Sequence, residues 1–172
     1  MKRHLVLVGL PGSGKSTVGK LVAEQLRGEF VDIDAVIVRH QTKPIAMIFA
    51  EKGESAFREL ERKEMETALE HEPAIIASGG GWAVQPGAID GAKARAFIVY
   101  LRTRPDTAAQ RAEPQGTRPV LLGGDPVQRM RELLKEREEA YLKAHEKVDT
   151  DRKTPAQVAQ EIARLAQSGA GW

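Results

Sequence analysis

The 172-residue sequence predicts an α/β fold in which a parallel sheet is covered by helices on both faces. Three observations lead there. Short apolar runs lack polar alternation, as in strands buried on both sides. Segments with helical apolar spacing separate those runs, the rhythm of strand–helix–strand units. A glycine-rich turn joins the first run to the first helical segment, and sheets of this kind bind ligands beyond the carboxyl ends of their strands.

Taken in order, His4-Leu-Val-Leu-Val8 is the first strand and ends at Gly9. From Lys15 to Leu26, Val18, Leu21, Val22 and Leu26 recur at helical spacing, and Gly28 supplies a stop. Phe30 to Ile33 reads as a second strand, and Glu54 to Glu72 as a strongly charged helix closed by Pro73. Ala74 to Ala77 and Ala96 to Leu101 are further buried strands, with a weaker one around Val148. Helices are expected over Pro105 to Ala112, Pro126 to Glu146 and Pro155 to Gln167, each with proline in its first turn, where a missing N–H costs nothing. Ser168 to Trp172 reads as a frayed tail. With no internal repeat and no low-complexity linker, residues 1–172 are expected to form a single domain.

Composition narrows the function. Lys and Arg total 26 against 24 Asp and Glu, a formal charge of +2, which leaves no broad basic footprint for nucleic acid or an anionic membrane. No apolar run approaches the roughly 20 residues of a membrane span, and Met1 to Leu10 lacks the pattern of a signal peptide, so a soluble cytoplasmic protein is expected. The absence of cysteine removes disulfides, thiolate zinc sites and a cysteine nucleophile. His4, His40, His71 and His145 show no metal-ligand spacing.

Gly9-Leu-Pro-Gly-Ser-Gly-Lys-Ser16 matches GxxxxGK[ST] in full, between a strand and a helix, as that phosphate-binding motif requires. Across Gly12, Ser13, Gly14, Lys15, Ser16 and Thr17, successive N–H groups can curl round phosphate oxygens, with a helix N-terminus behind them. Lys15 is placed for the β and γ phosphates, and the Ser16 hydroxyl for the Mg²⁺ that accompanies ATP. The motif specifies a nucleoside triphosphate but not its use. No NKxD guanine-reading motif is present, and Ala74 to Ser78 lacks the four apolar residues followed by Asp that a motor ATPase would show.

Two carboxylates follow the second strand in Val31-Asp32-Ile33-Asp34. One could assist Mg²⁺ while the other takes a proton from an acceptor hydroxyl; equally, an Asp here could cap the next helix. Arg58 falls in the first turns of a helix, suited to a bidentate grip on a carboxylate or to a solvated ion pair. Ser78-Gly79-Gly80-Gly81 lies at a strand's carboxyl end, where bare backbone lets a ligand approach closely. Glu113 to Asp125 is rich in Gly, Pro and polar residues and carries Arg118, the composition of a loop.

In this order and at these separations, GLPGSGKST (9–17), FVDID (30–34), FRELE (57–61), SGGG (78–81), RPVLL (118–122) and REEAY (137–141) resemble the shikimate kinase family over nearly the whole chain. The resemblance implies a three-layer P-loop kinase fold with a central five-stranded parallel sheet and a mobile lid at about 113–125. It implies transfer of the ATP γ-phosphoryl group to the 3-hydroxyl of shikimate, on the route to chorismate and the aromatic amino acids. Mg²⁺ would be the cofactor, ATP and shikimate the only partners, and a monomer the expected state. The acceptor region would span about 32–62. Asp34 would bind the shikimate hydroxyls and act as base, and Asp32 would support Mg²⁺ beside Ser16. Arg58 and Arg137 would clamp the carboxylate, with Gly79, Gly80 and Gly81 offering backbone contacts to the ring hydroxyls. Arg118 would meet the transferring phosphoryl group; Arg111 would flank the adenine, opposite Arg152 or Lys153. Ile45, Phe49 and Phe57 would either line the ring's apolar face or serve as core.

Three departures from the family pattern stand out. Val120 replaces the usual Leu of the lid motif, the proline often found shortly after Arg137 is missing, and bulky Trp82 follows the triple glycine. Trp82 would either narrow the acceptor pocket or pack outward. Two readings compete with the resemblance: another small-molecule kinase of the same fold, such as a gluconate or nucleotide kinase, and a nucleotide-binding regulator without turnover.

Overall fold

A computed structural model describes residues 1–112 and 124–172. Five strands form one parallel sheet: β1 (His4–Val8), β2 (Phe30–Asp32), β3 (Ile75–Ala77), β4 (Ala96–Arg102) and β5 (Glu146–Asp149), in the order β2-β3-β1-β4-β5. The central strand, β1, is completely buried, pairing Leu5 with Ile75 on one side and with Phe97 on the other. Its side chains alternate between two cores because successive residues of a strand face opposite ways. Val6, Val8, Ile98 and Tyr100 face one core, while Leu5, Leu7, Phe97 and Val99 face the other.

The second of these cores is closed by α1 (Lys15–Leu26) and α7 (Pro155–Gly169). The first is closed by α2 (Ile33–Gln41), α3 (Ile45–Glu70), the short α4 (Ala88–Ala92), α5 (Pro105–Ala112) and α6 (Pro126–Tyr141). Helices therefore cover both faces, as the unalternating strands predict.

Several boundaries differ from the sequence reading. A helix, α2, starts at once after β2: Asp32 caps it, its side chain accepting from the Ala35 N–H at 3.3 Å, and Ile33 and Ile37 are its buried face. The charged helix extends back to Ile45, but Gly53 interrupts it at φ +84°, so the expected start at Glu54 is a real break within α3. In the other direction, α6 ends at Tyr141 rather than Glu146, because the chain must turn there to lay down β5.

The frayed tail is corrected. Ser168 and Gly169 belong to α7, Ala170 is buried, and the Trp172 indole donates to the Arg3 carbonyl at 2.9 Å while lying against Gly28. Arg3 returns two bonds, from its N–H to Ala170 O at 2.9 Å and from its guanidinium to Gly169 O at 2.6 Å. An indole with both a buried face and a satisfied N–H is well anchored. The proposed lid, 113–125, falls mostly outside the described residues, and Arg118 and Val120 lie there.

Candidate active site

The β1–α1 turn forms the first half of the site. Gly12 takes φ +80° and sits so close to α5 that a Cβ would lie 3.0 Å from the Ala108 carbonyl carbon, so only glycine fits. Lys15 Nζ donates to the carbonyls of Gly9 at 2.7 Å and Leu10 at 3.0 Å, which holds the ammonium across the loop. Ser16 Oγ donates to Asp32 Oδ2 at 2.6 Å. The two oxygens of Asp32 thus divide the roles left open by the sequence: Oδ1 caps α2 and Oδ2 meets the P-loop hydroxyl. A hydroxyl beside a carboxylate, both hard oxygen donors, fits a Mg²⁺ ion. Pro11, Gly12, Gly14, Lys15, Ser16 and Thr17 line this cradle, closed by Asp32, Asp34, Ser78 and Gly80.

A second concavity adjoins the cradle. It is lined by Ile45, Phe49, Phe57, Arg58, Glu61, Gly81 and Arg137, and it shares Pro11, Asp34 and Gly80 with the first. Asp34, in the first turn of α2, stands where the two meet. The apolar side is an aromatic pair, Phe49 and Phe57, with ring centroids 4.7 Å apart. Phe57 is also buried in the core, so the two roles open for it in the sequence coexist.

The triple glycine forms the polar side because two guanidinium groups pack directly on it. A Cβ on Gly81 would lie 2.5 Å from Arg58 Cζ, and one on Gly80 would lie 3.0 Å from Arg137 Nη1. Arg58 is braced from behind by Glu61, whose two oxygens each lie 3.2 Å from Nη1. Glu61 is fully buried and also accepts from Gln85 Nε2 at 3.3 Å. Burial pushes its carboxyl up from the ordinary value, and the neighbouring Arg58 charge opposes that shift. Arg137, itself buried, comes from α6 to the opposite side of the glycines.

The structure places Asp34, Arg58, Gly80, Gly81 and Arg137 on the lining of one pocket and Gly12, Gly14, Lys15, Ser16, Thr17 and Asp32 on that of the other. Ser13 lies in the same turn with its hydroxyl buried and, among the described residues, without a partner. Gly79 packs against Glu61, a Cβ there falling 2.8 Å from its carboxyl carbon, and so serves the brace rather than the pocket lining. Arg111 occupies the last turn of α5, against whose backbone Gly12 packs. The loop bearing Arg152 is joined to the start of α5 by the Arg104 N–H bond to Asp151 at 3.2 Å and by Thr103 to Thr150 at 2.5 Å. Lys153 is paired with Glu161 at 2.9 Å, whereas Arg152 is exposed. Trp82 is buried and lines a separate groove beside α3 and α4 with Arg62, Glu66 and Arg95, so it leaves the acceptor pocket alone. Glu61, Gln85 and Tyr141 were missed as site residues. The i, i+3 spacing of Arg58 and Glu61 was the available signal for the first.

A phosphate cradle sharing one wall with a small pocket that is apolar on one side and doubly cationic on the other defines a P-loop kinase for a small anionic acceptor. Comparison with known proteins gives the family. The shikimate kinase family model matches residues 11–167. Shikimate kinase of Sulfurihydrogenibium sp. is 38% identical over 160 residues, covering 93% of this chain and 95% of that protein. The structure of shikimate kinase from Acinetobacter baumannii in complex with shikimate superposes with a TM-score of 0.92 at 34% identity, over 98% of this chain and 94% of that one. A gluconokinase from Sinorhizobium meliloti, at 18% identity and a TM-score of 0.63 over 99% and 94% of the two chains, shares the fold alone. The chain belongs to the shikimate kinase family.

Proposed function

We propose that this chain transfers the γ-phosphoryl group of ATP to the 3-hydroxyl of shikimate, yielding shikimate 3-phosphate and ADP for aromatic amino acid synthesis. The observation that carries the reading is the shared wall: Pro11, Asp34 and Gly80 border both the P-loop cradle and the pocket flanked by Arg58 and Arg137. An acceptor whose carboxylate lies between those guanidinium groups is anchored in the pocket that Asp34 also lines. Its hydroxyls are then turned toward the phosphates.

The chemistry follows from that placement. The acceptor oxygen forms a bond to the γ-phosphorus as the bridging β–γ bond breaks, ADP departs, and the hydroxyl proton passes to Asp34. The backbone of Gly12, Ser13 and Gly14, with Lys15 and Thr17, holds the phosphates. Ser16 and Asp32 are the residues that would hold Mg²⁺, which would offset the phosphate charge during transfer. Arg118 keeps the role the family likeness gives it, a cation on the transferring phosphoryl group. Arg111 flanks the adenine, with Arg152 or Lys153 on its other side; Lys153 is paired with Glu161 on the surface. Among the described residues no helix is long and apolar enough to cross a membrane, and we read the enzyme as a cytoplasmic monomer of one kinase domain acting on small molecules alone.

The test is ADP release from MgATP with shikimate, quinate, gluconate or no acceptor, alongside an EDTA control. ADP formed with shikimate only, and lost with EDTA, is expected. Release with gluconate alone would overturn shikimate as the acceptor, and ATP binding without turnover on any acceptor would mark a regulator.

A further inference from the structure

Tyr141 lies at the C-terminal end of α6, one turn beyond Arg137, so both side chains project from the same face of that helix. It is fully buried, and its hydroxyl donates to the Gly80 carbonyl at 2.8 Å. The ring packs on Tyr100, with centroids 5.1 Å apart, and Tyr100 in turn donates to Glu138 Oε2 at 2.8 Å. Burial pushes the Tyr141 hydroxyl above its ordinary value, with the charge and hydrogen bond of Arg137 opposing, so the phenol keeps its proton at neutral pH, donating to Gly80 while accepting from Arg137.

From this geometry we infer that Tyr141 is a positioning residue for the acceptor carboxylate, an inference that rests on the reaction proposed above. A trans peptide directs its C=O and N–H in opposite senses. Drawing the Gly80 carbonyl toward α6 therefore aims the Gly81 N–H away from that helix. Neither the Gly80 nor the Gly81 N–H has a backbone acceptor among the described residues, and both glycines line the acceptor pocket. Glycine has the softest backbone of any residue, so three in succession would not hold one peptide orientation unaided. Tyr141 supplies the missing constraint, and through α6 it sets the same glycines in register with the Arg137 guanidinium. The carboxylate thus meets fixed N–H dipoles and a cation arriving from a single helix.

The test compares wild type with Tyr141→Phe, which keeps the ring and its packing, and with Tyr100→Phe, which removes the other phenolic tether of α6 without touching the glycines. In Tyr141→Phe, KM for shikimate should rise about five- to tenfold, the scale of one lost hydrogen bond, with KM for ATP and kcat within twofold of wild type. The Gly81 amide resonance should move in a ¹⁵N-labelled sample, and Tyr100→Phe should do neither. An unchanged shikimate KM, an equal rise in both KM values, or the same effect from Tyr100→Phe would overturn the inference. If the Tyr141→Phe protein is too unstable to assay, 4-aminophenylalanine is incorporated at position 141, whose N–H reaches as far as the phenol: a shikimate KM within twofold of wild type supports the role, and a rise of about five- to tenfold despite the retained donor overturns it. Failure of the wild type to phosphorylate shikimate is a separate outcome that removes the underlying reaction itself.

Discussion

Substituting Gly81 by alanine displaces one arm of the clamp and leaves the rest of the protein in place. The added methyl would lie 2.5 Å from Arg58 Cζ and 2.9 Å from Nε, whereas ordinary contact begins near 3.4 Å. The guanidinium must lift by about 1 Å. It can do so because it ends a flexible side chain that is 21% exposed, at the cost of loosening its pair with buried Glu61. Gly81 itself has a φ of −97°, open to any residue, so the backbone adds no strain. The fold should therefore survive, with Tm lowered by the loosened Arg58–Glu61 pair. A charge-assisted hydrogen bond contributes about 1.5–3 kcal/mol, so loss of the Arg58 contact should raise KM for shikimate roughly 10- to 100-fold. KM for ATP should stay put, because the P-loop does not touch Gly81. The assay is initial-rate ADP release with each substrate varied in turn, beside a thermal melt. A shikimate KM within twofold of wild type, in a protein with a cooperative melt, would refute the placement of Arg58 on the acceptor.

Asp34→Asn should retain ATP binding by calorimetry yet lower kcat roughly 10²-fold or more, and near-normal turnover would remove Asp34 from the proton transfer. Arg137→Ala should act mainly on KM for shikimate, since a clamp present in ground and transition states alike is uniform binding; a rise confined to KM for ATP would assign Arg137 to the nucleotide side. Stability should fall in mild acid through His4, which is buried, accepts from the Ala74 N–H through Nδ1 at 3.2 Å and donates to Leu69 O through Nε2 at the same distance. Burial lowers its pKa below the ordinary 6.5, so its contribution is complete above about that pH and is lost as pH falls through the lower folded-state value; thermal melts from about pH 7.5 to about 5.5 test this, and a flat Tm would refute it.

The strands and the P-loop helix were legible because local pattern settles them. Lys15 to Leu26 is bounded by glycines and has a clear apolar period, and the observed helix has the same ends. By contrast, α2 was hidden, since Asp32 and Asp34 read as chemistry and only Ile33 and Ile37 mark its inner face. Trp172 looked loose because Gly169 and Gly171 flank it in sequence; what holds it is Arg3 and Gly28, far away along the chain. The site shows the same division. Motif residues were found by type and spacing, but Glu61, Gln85 and Tyr141 act through neighbours that only the folded chain brings near. A carboxylate in a charged helix and a tyrosine at a helix end carry no local mark of being buried.

The position of β1 at the middle of the sheet bears on how the chain acquires its structure. Leu5 pairs with Ile75 and His4 with Ala96, so the central strand emerges before either neighbour and finds them only after some seventy to ninety further residues have been made. Until then its backbone groups and four consecutive core side chains, Leu5 to Val8, have no permanent partners. Sheets closed by such distant pairings fold slowly, and an unpaired apolar strand of this kind is prone to join the wrong chain. A nascent chain halted before β4 would therefore be the form most in need of a chaperone.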